Sequence, residues 1–195
     1  MKRSLLFMLI FILIICLVSG CSKKGPYVYK GVELLKNGNM EEKDSDERPR
    51  GWGYGGTKGF SEFLNFTYTI DPTDENNNCL KIDGATDAES FAYWHQTIST
   101  NVPIGKKVKL KVKIKTDNLT GTGAAIAIRC DNNSGLAQFT STAGRISIVG
   151  STDWKYYSIE LNERVRADIK SITVYLLFLG NTSGTVYFDD ASLIY

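Results

Sequence analysis

The chain has one histidine in 195 residues. That scarcity excludes a His-rich metal motif, and no serine elbow or paired-cysteine spacing takes its place. Cysteine is nearly as sparse. Of the four, Cys16 and Cys21 belong to the N-terminal leader, which leaves Cys79 and Cys130. Cys130 shares the buried parity of Ile126 and Ile128, whereas Cys79 sits opposite in parity to Leu80 and Ile82. A disulfide needs facing Cβ atoms, so the mismatch predicts two free thiols. Charge surplus is also missing. Lys2 and Arg3 lie in the leader, and the rest holds 21 basic and 21 acidic residues, without the basic excess of a nucleic-acid-binding domain. No stretch shows three turns of helical periodicity, and no internal repeat is present. The glycine-rich stretch 49–56 lacks the lysine and helix of a phosphate-cradling loop.

What is abundant points to β structure: 10 Tyr, 9 Phe, 3 Trp and 18 Gly, a composition of strands and turns. Residues 105–116, GKKVKLKVKIKT, alternate strictly. Val108, Leu110, Val112 and Ile114 point one way, and the lysines from Lys107 to Lys115 point the other. A period of two is a strand with one buried and one wet face. Further strands are expected at 33–35, 60–70, 79–83, 91–99, 124–130, 136–141, 145–149, 154–161, 171–179 and 185–195. Charged residues 41–50 form a surface loop, 49–56 a glycine-rich turn, and 74–78 a polar turn. About ten short strands at this spacing predict an all-β sandwich.

Residues 1–20 read as a signal peptide. Lys2 and Arg3 give the positive start, and residues 5–18 form an unbroken apolar run of 14, too short to span a bilayer comfortably. Leu17-Val18-Ser19-Gly20-Cys21 resembles the bacterial lipobox. The resemblance implies diacylglycerol on the Cys21 sulfur, an acyl group such as palmitate on its amine, and a tether over 21–30. It implies a lipoprotein on the extracytoplasmic face of the cell membrane, or in the outer membrane of a Gram-negative source.

Residues 31–195 carry a second resemblance. Asn37-Gly38-Asn39-Met40-Glu41, the Pro49-Arg50-Gly51-Trp52 turn, Gln96-Thr97-Ile98 with Gly105, Lys115-Thr116, Asp153-Trp154 and the closing GTVYFDDASL of 184–193 are similar to motifs of jelly-roll carbohydrate-binding modules. The families concerned are four, nine, sixteen and twenty-two, of galactose-binding-like fold. The resemblance implies a jelly-roll β-sandwich and a glycan-binding, non-catalytic role, the alternative being a protein-interaction or assembly domain on the same fold. Trp52 and Trp154 match structural positions of those modules and are expected in the core. The resemblance also implies a structural Ca2+ shared by Glu41, Asp189 and Asp190, hard oxygen donors of the kind calcium requires.

Ligand residues follow from parity. With Ile98 inward, Tyr93 and His95 point outward. Tyr93, His95, Arg129, Gln138 and Tyr175 have non-core parities and chemistry suited to sugars: aromatic faces for C–H groups, planar polar groups for hydroxyls. Trp94 joins them on the premise that a bulge can reverse its parity. The alternative is a decorated face that binds nothing. If the Lys107 to Lys115 row shares that sheet, an anionic polymer, such as a uronic-acid glycan or a teichoic acid, is the favoured partner. No sequence feature selects a catalytic pair of acids.

Overall fold

The computed structural model describes residues 31–57 and 64–195. The expected signal peptide over 1–20, Cys21 and the expected tether over 21–30 lie outside the described residues. Described residues form ten strands and no α-helix: β1 (Gly53–Gly56), β2 (Leu64–Asp71), β3 (Asp74–Ala85), β4 (Ala92–Ile98), β5 (Lys109–Gly121), β6 (Ala124–Asn132), β7 (Gly135–Ser141), β8 (Gly150–Glu160), β9 (Ser171–Phe178) and β10 (Thr182–Ile194). They build two five-stranded antiparallel sheets, in the orders β1-β4-β9-β6-β7 and β2-β3-β10-β5-β8.

Alternation decides which face each strand buries. Leu110, Val112 and Ile114 of β5, Leu80 and Ile82 of β3, and Val186 and Phe188 of β10 meet Trp94 of β4, Ile126 and Ile128 of β6, and Ile172, Val174 and Leu176 of β9. Each such side chain contributes about 1.5–3 kcal/mol by leaving water. Cys130 joins this core, while Cys79 is buried on the other face of its sheet; both thiols are free.

Four local expectations are corrected. Residues 74–78 are the first half of β3, because Asn78 pairs with Ile70 across a register shift. Part of the glycine-rich stretch is β1, laid against β4. Residues 33–35 give one isolated bridge, Glu33 with Ile194. Residues 145–149 are not a strand, although Ala124 N donates to Ile148 O at 3.0 Å.

The opening motif and the proline turn are tied together. Asn37 Nδ2 donates to Glu42 O (2.8 Å) and Arg50 O (3.1 Å), and its Oδ1 accepts from Glu42 N (2.7 Å). Trp52 Nε1 donates to Asn37 O at 3.0 Å. Gln96 holds the same corner, accepting from Lys36 N at 2.7 Å and donating to Lys36 O at 2.9 Å. Trp52 is buried as expected, but Trp154 is not in the core. It lies half-buried on the solvent side of β8, where its Nε1 donates to Asp71 Oδ1 at 3.1 Å.

Candidate functional site

The outer face of the β1-β4-β9-β6-β7 sheet is what remains when its core residues are removed. Register lines its side chains into rows. One row is Gly53, His95, Tyr175, Ala127 and Ser141; the next is Gly55, Tyr93, Leu177 and Ala125. A third is Thr97, Thr173, Arg129 and Phe139. Tyr93, His95, Tyr175 and Arg129 therefore share one face, across three adjacent strands.

Small residues let the rings lie down. A Cβ at Gly53 would fall 2.9 Å from His95 Nε2, and one at Gly55 would fall 3.0 Å from Tyr93 Oη. Glycine on β1 thus makes room for both rings over the sheet edge. On the other side Ala125, Ala127 and Leu177 are buried beneath Tyr93, Tyr175 and Leu179 as a second small apolar cluster. The rings support each other edge to face: Tyr93 to Tyr175 at 4.9 Å, Tyr93 to His95 at 5.6 Å. Such pairs contribute about 0.5–1.5 kcal/mol beyond area alone. Phe91 extends the strip, 6.0 Å from Tyr93.

Polar groups border the rings. Arg129 grips Asp131 through Nε (2.9 Å to both carboxylate oxygens) and Nη2 (2.8 Å). That hydrogen-bonded pair holds the guanidinium firmly protonated. Thr97 and Thr173 share a hydroxyl hydrogen bond of 2.9 Å. Burial lowers the His95 pKa and raises that of Tyr175. Near pH 7 the face thus presents neutral rings beside an internally compensated ion pair, groups that can donate to and accept from hydroxyls.

Two expected residues are elsewhere. Trp94 keeps its simple alternation, is 3% exposed, and donates from Nε1 to Lys81 O at 3.2 Å inside the sandwich. Gln138 faces inward because the β6–β7 register shifts between Cys130 and Asp131. It clamps the loop before β9, donating to Arg164 O at 3.0 Å and accepting from Arg166 N at 3.1 Å. The same shift puts Phe139, 51% exposed, on the outer face opposite Arg129. Sequence reading missed Phe139; an aromatic between Gln138 and Thr140 was the available signal.

The lysine row is not on this face. Lys109 to Lys115 project from β5, in the other sheet, toward neighbouring partners. Lys113 Nζ is 3.7 Å from Asp190 Oδ2, Lys115 Nζ is 3.6 Å from Asp153 Oδ1, and Lys111 Nζ lies 3.6 Å from the centre of the Tyr156 ring.

Glu41, Asp189 and Asp190 are not brought into one donor set. Among the described residues no group of three or more His, Cys, Asp or Glu is placed to hold a metal. The cause is a bulge in β10, with one extra residue between Asp189 and Ser192 and a left-handed Asp190 (φ 46°). Asp189 leans to β3, where Asn77 Nδ2 donates to it at 2.9 Å. Asp190 leans to β8 and accepts from Tyr156 Oη at 2.9 Å. Glu41 accepts from Asn78 N at 2.8 Å and Asn78 Nδ2 at 2.7 Å. Each carboxylate already has proton donors where a cation would sit, so the residues as arranged do not fit calcium.

No protein-family model and no curated protein matches the chain. Solved structures do. The enzymatically active domain of bacteriophage CBA120 tailspike protein 4 aligns with TM-score 0.61 at 14% identity, over 83% of this chain and 21% of that one. A Stig cyclase from Fischerella sp. TAU aligns with TM-score 0.56 at 14% identity, over 84% and 96%. The family 11 carbohydrate-binding module of a Clostridium thermocellum cellulase, Lic26A-Cel5E, aligns with TM-score 0.53 at 15% identity, over 85% and 96%. Modules of families 22 and 4 are also among the similar structures. At these identities the likeness is one of fold: an all-β jelly roll of the kind carbohydrate-binding modules have.

Proposed function

We propose that the protein is a lipid-anchored, non-catalytic glycan-binding protein whose binding face is the outer surface of the β1-β4-β9-β6-β7 sheet. The carrying observation is the Tyr93–His95–Tyr175 ring cluster, laid over Gly53 and Gly55 and bordered by the Arg129–Asp131 pair. Rings half-buried and braced from below lose little freedom on binding, which favours affinity. Among the described residues, the carboxylate bordering these rings is Asp131, and it is tied to Arg129, whereas glycoside hydrolysis uses a pair of acids across the sugar. With the lysine row on the other sheet, the ligand of this face is an uncharged rather than an anionic glycan.

A glycan array with the chain from Ser22 onward, followed by titration of the best ligand, tests the reading. Tyr93→Ala is expected to weaken binding about tenfold, or about 1.4 kcal/mol, with the fold intact. Affinity is expected to hold between 0.05 and 0.5 M salt, because Coulombic attraction is what salt screens. No binding to any glycan at millimolar concentration would overturn the proposal. It would favour a protein-contact surface instead, for which the edge strand β7, with Leu136 57% and Phe139 51% exposed, is the observation in hand.

A further inference from the structure

Tyr54 faces away from the site just described. Its neighbours Gly53 and Gly55 lie under His95 and Tyr93, so alternation turns Tyr54 to the side of Trp94, its register partner. There β1 and β2 are the edge strands of their sheets. Tyr54 is nonetheless 59% exposed. It stacks on Phe66 of β2 with ring centres 4.8 Å apart and planes 22° apart, and it meets the Trp94 ring at 71° with centres 5.3 Å apart. Phe66 and Trp94 meet edge to face at 5.9 Å. Phe66 thus braces one face of the ring, Trp94 meets it at a steep angle, and Tyr54 stays largely exposed to solvent.

A cleft of about 500 Å3 opens beside it, lined by Tyr54, Leu64, Asn65, Phe66, Thr67, Lys81 and Asp83. That is the size range of small-molecule sites, roughly 300–1,000 Å3. Its charged groups cancel: Lys81 Nζ is 2.7 Å from Asp83 Oδ1, and Asn65 Nδ2 donates to Asp83 Oδ2 at 3.2 Å. A compensated pair, an amide and a hydroxyl offer both donors and acceptors with no net charge to attract an ion. Beside a braced ring, that combination suits the C–H face and hydroxyls of a neutral sugar.

We infer that the edge of the sandwich at β1 and β2 is a second saccharide site, centred on Tyr54 and separate from the Tyr93 face. The class of ligand rests on the glycan-binding reading, but the site does not depend on the other face. Tyr93 and Trp94 are consecutive on β4 and point to opposite sides, so the two sites stand back to back on one strand. A protein with both would hold two glycan segments at once.

The test is stoichiometry. The full chain in detergent is titrated by calorimetry with xylohexaose, cellohexaose and maltohexaose. Wild type is expected to bind two equivalents of whichever oligosaccharide it accepts, and Tyr54→Ala and Tyr93→Ala one each. Tyr54→Phe keeps the ring and is expected to keep both equivalents. Melting curves accompany each variant, and Lys81→Met, which leaves the ring stack alone, serves if Tyr54→Ala does not fold; it is expected to weaken one equivalent at least fivefold. Two equivalents unchanged in Tyr54→Ala, or in Lys81→Met where that variant serves, overturn the inference and leave the Tyr93 reading untouched. One equivalent lost only with Tyr54→Ala sustains the inference and removes the Tyr93 reading. One equivalent lost only with Tyr93→Ala does the reverse, and no binding of any probe overturns both.

Discussion

A Cβ at residue 38 would overlap the carbonyl oxygen of Ala191, and Gly38 O accepts from Ala191 N at 2.8 Å. The glycine of the opening motif is therefore required by close backbone approach, not by a left-handed φ. Its neighbours complete the arrangement. Asn37 takes a left-handed conformation (φ 49°) that asparagine tolerates, and its side chain satisfies three backbone groups. Met40, also left-handed, is fully buried, and its carbonyl accepts from Tyr68 Oη at 2.6 Å. Gly38→Ala has to push β10 away from this corner or break the bond to Ala191. It is expected to cost on the order of 3 kcal/mol, measured as a shift in urea midpoint with unchanged slope. A variant within about 0.5 kcal/mol of wild type would show that the corner yields. The motif was legible in sequence as Asn-Gly; that its partner is Ala191, in the last strand, was not, because nothing local encodes a contact across the sheet.

At the scale of elements, the β2–β3 hairpin is joined to the bulge of β10 by one amide. Asn77 Nδ2 donates to Asp71 Oδ2 at 3.2 Å and to Asp189 Oδ2 at 2.9 Å, both carboxylates being buried. Burial pushes the Asp189 carboxyl up to about 6, against the hydrogen bond from Asn77; Asp190 nearby adds to the rise, while Lys113 opposes it. Asp71 is buried too, but hydrogen bonds from Thr73, Trp154 and Asn77 outweigh burial and hold it low. The signs are opposite. The folded chain holds the Asp189 proton more tightly than the unfolded chain, so this group destabilises above about pH 6 and that cost is relieved as pH falls toward 4. Asp71 contributes stability in the ionised state and loses it only in stronger acid. Asp189→Asn is therefore expected to lose the part of the stability gain between pH 7 and 5 that wild type shows, seen as a flatter plot of melting temperature against pH. Chelator is expected to leave the wild-type melting temperature unchanged, because amide and hydroxyl donors already serve these carboxylates. A fall on adding chelator would mean that a bound cation gathers them.

Strand faces were readable wherever alternation ran unbroken. Ile98 inward gave Tyr93 and His95 their correct sides, and alternation gave the lysines of β5 theirs; for Trp94 simple parity gave the core, and the bulge invoked to bring it to the ligand face is not there. Reading failed where an extra residue shifts the register. Gln138 and Phe139 exchanged faces at the irregularity in β6–β7, and Asp189 and Asp190 diverged at the bulge of β10. Bulges carry little local signature. Sheet membership was not readable either: β4 and β5 are consecutive in the chain but belong to different sheets, which removed the lysine row from the ring face. Trp154 was assigned to the core on its size and its resemblance, yet its Nε1–H finds Asp71 on the solvent side.

For the whole molecule, the proposed lipoprotein leader would decide where these surfaces work. Leu17-Val18-Ser19-Gly20-Cys21 is the basis for the proposed lipidation, and among the described residues no helix is long and apolar enough to cross a membrane. Each buried CH2 of an acyl chain is worth about 0.8 kcal/mol, so one chain holds a protein only marginally while two or three hold it durably. A glycan-binding face gains from such anchoring. Held at a surface, each domain meets a neighbouring polymer at a high effective concentration, and weak individual contacts add up to firm attachment. The chemistry turns on one sulfur atom, so Cys21→Ser is expected to move the protein from the membrane fraction to the soluble one, or to leave it as uncleaved precursor. Mass spectrometry of wild type is expected to show a chain beginning at Cys21 with the added mass of a diacylglycerol. A wild-type chain without lipid, together with a Cys21→Ser variant as firmly membrane-bound as its parent, would overturn the anchoring proposal.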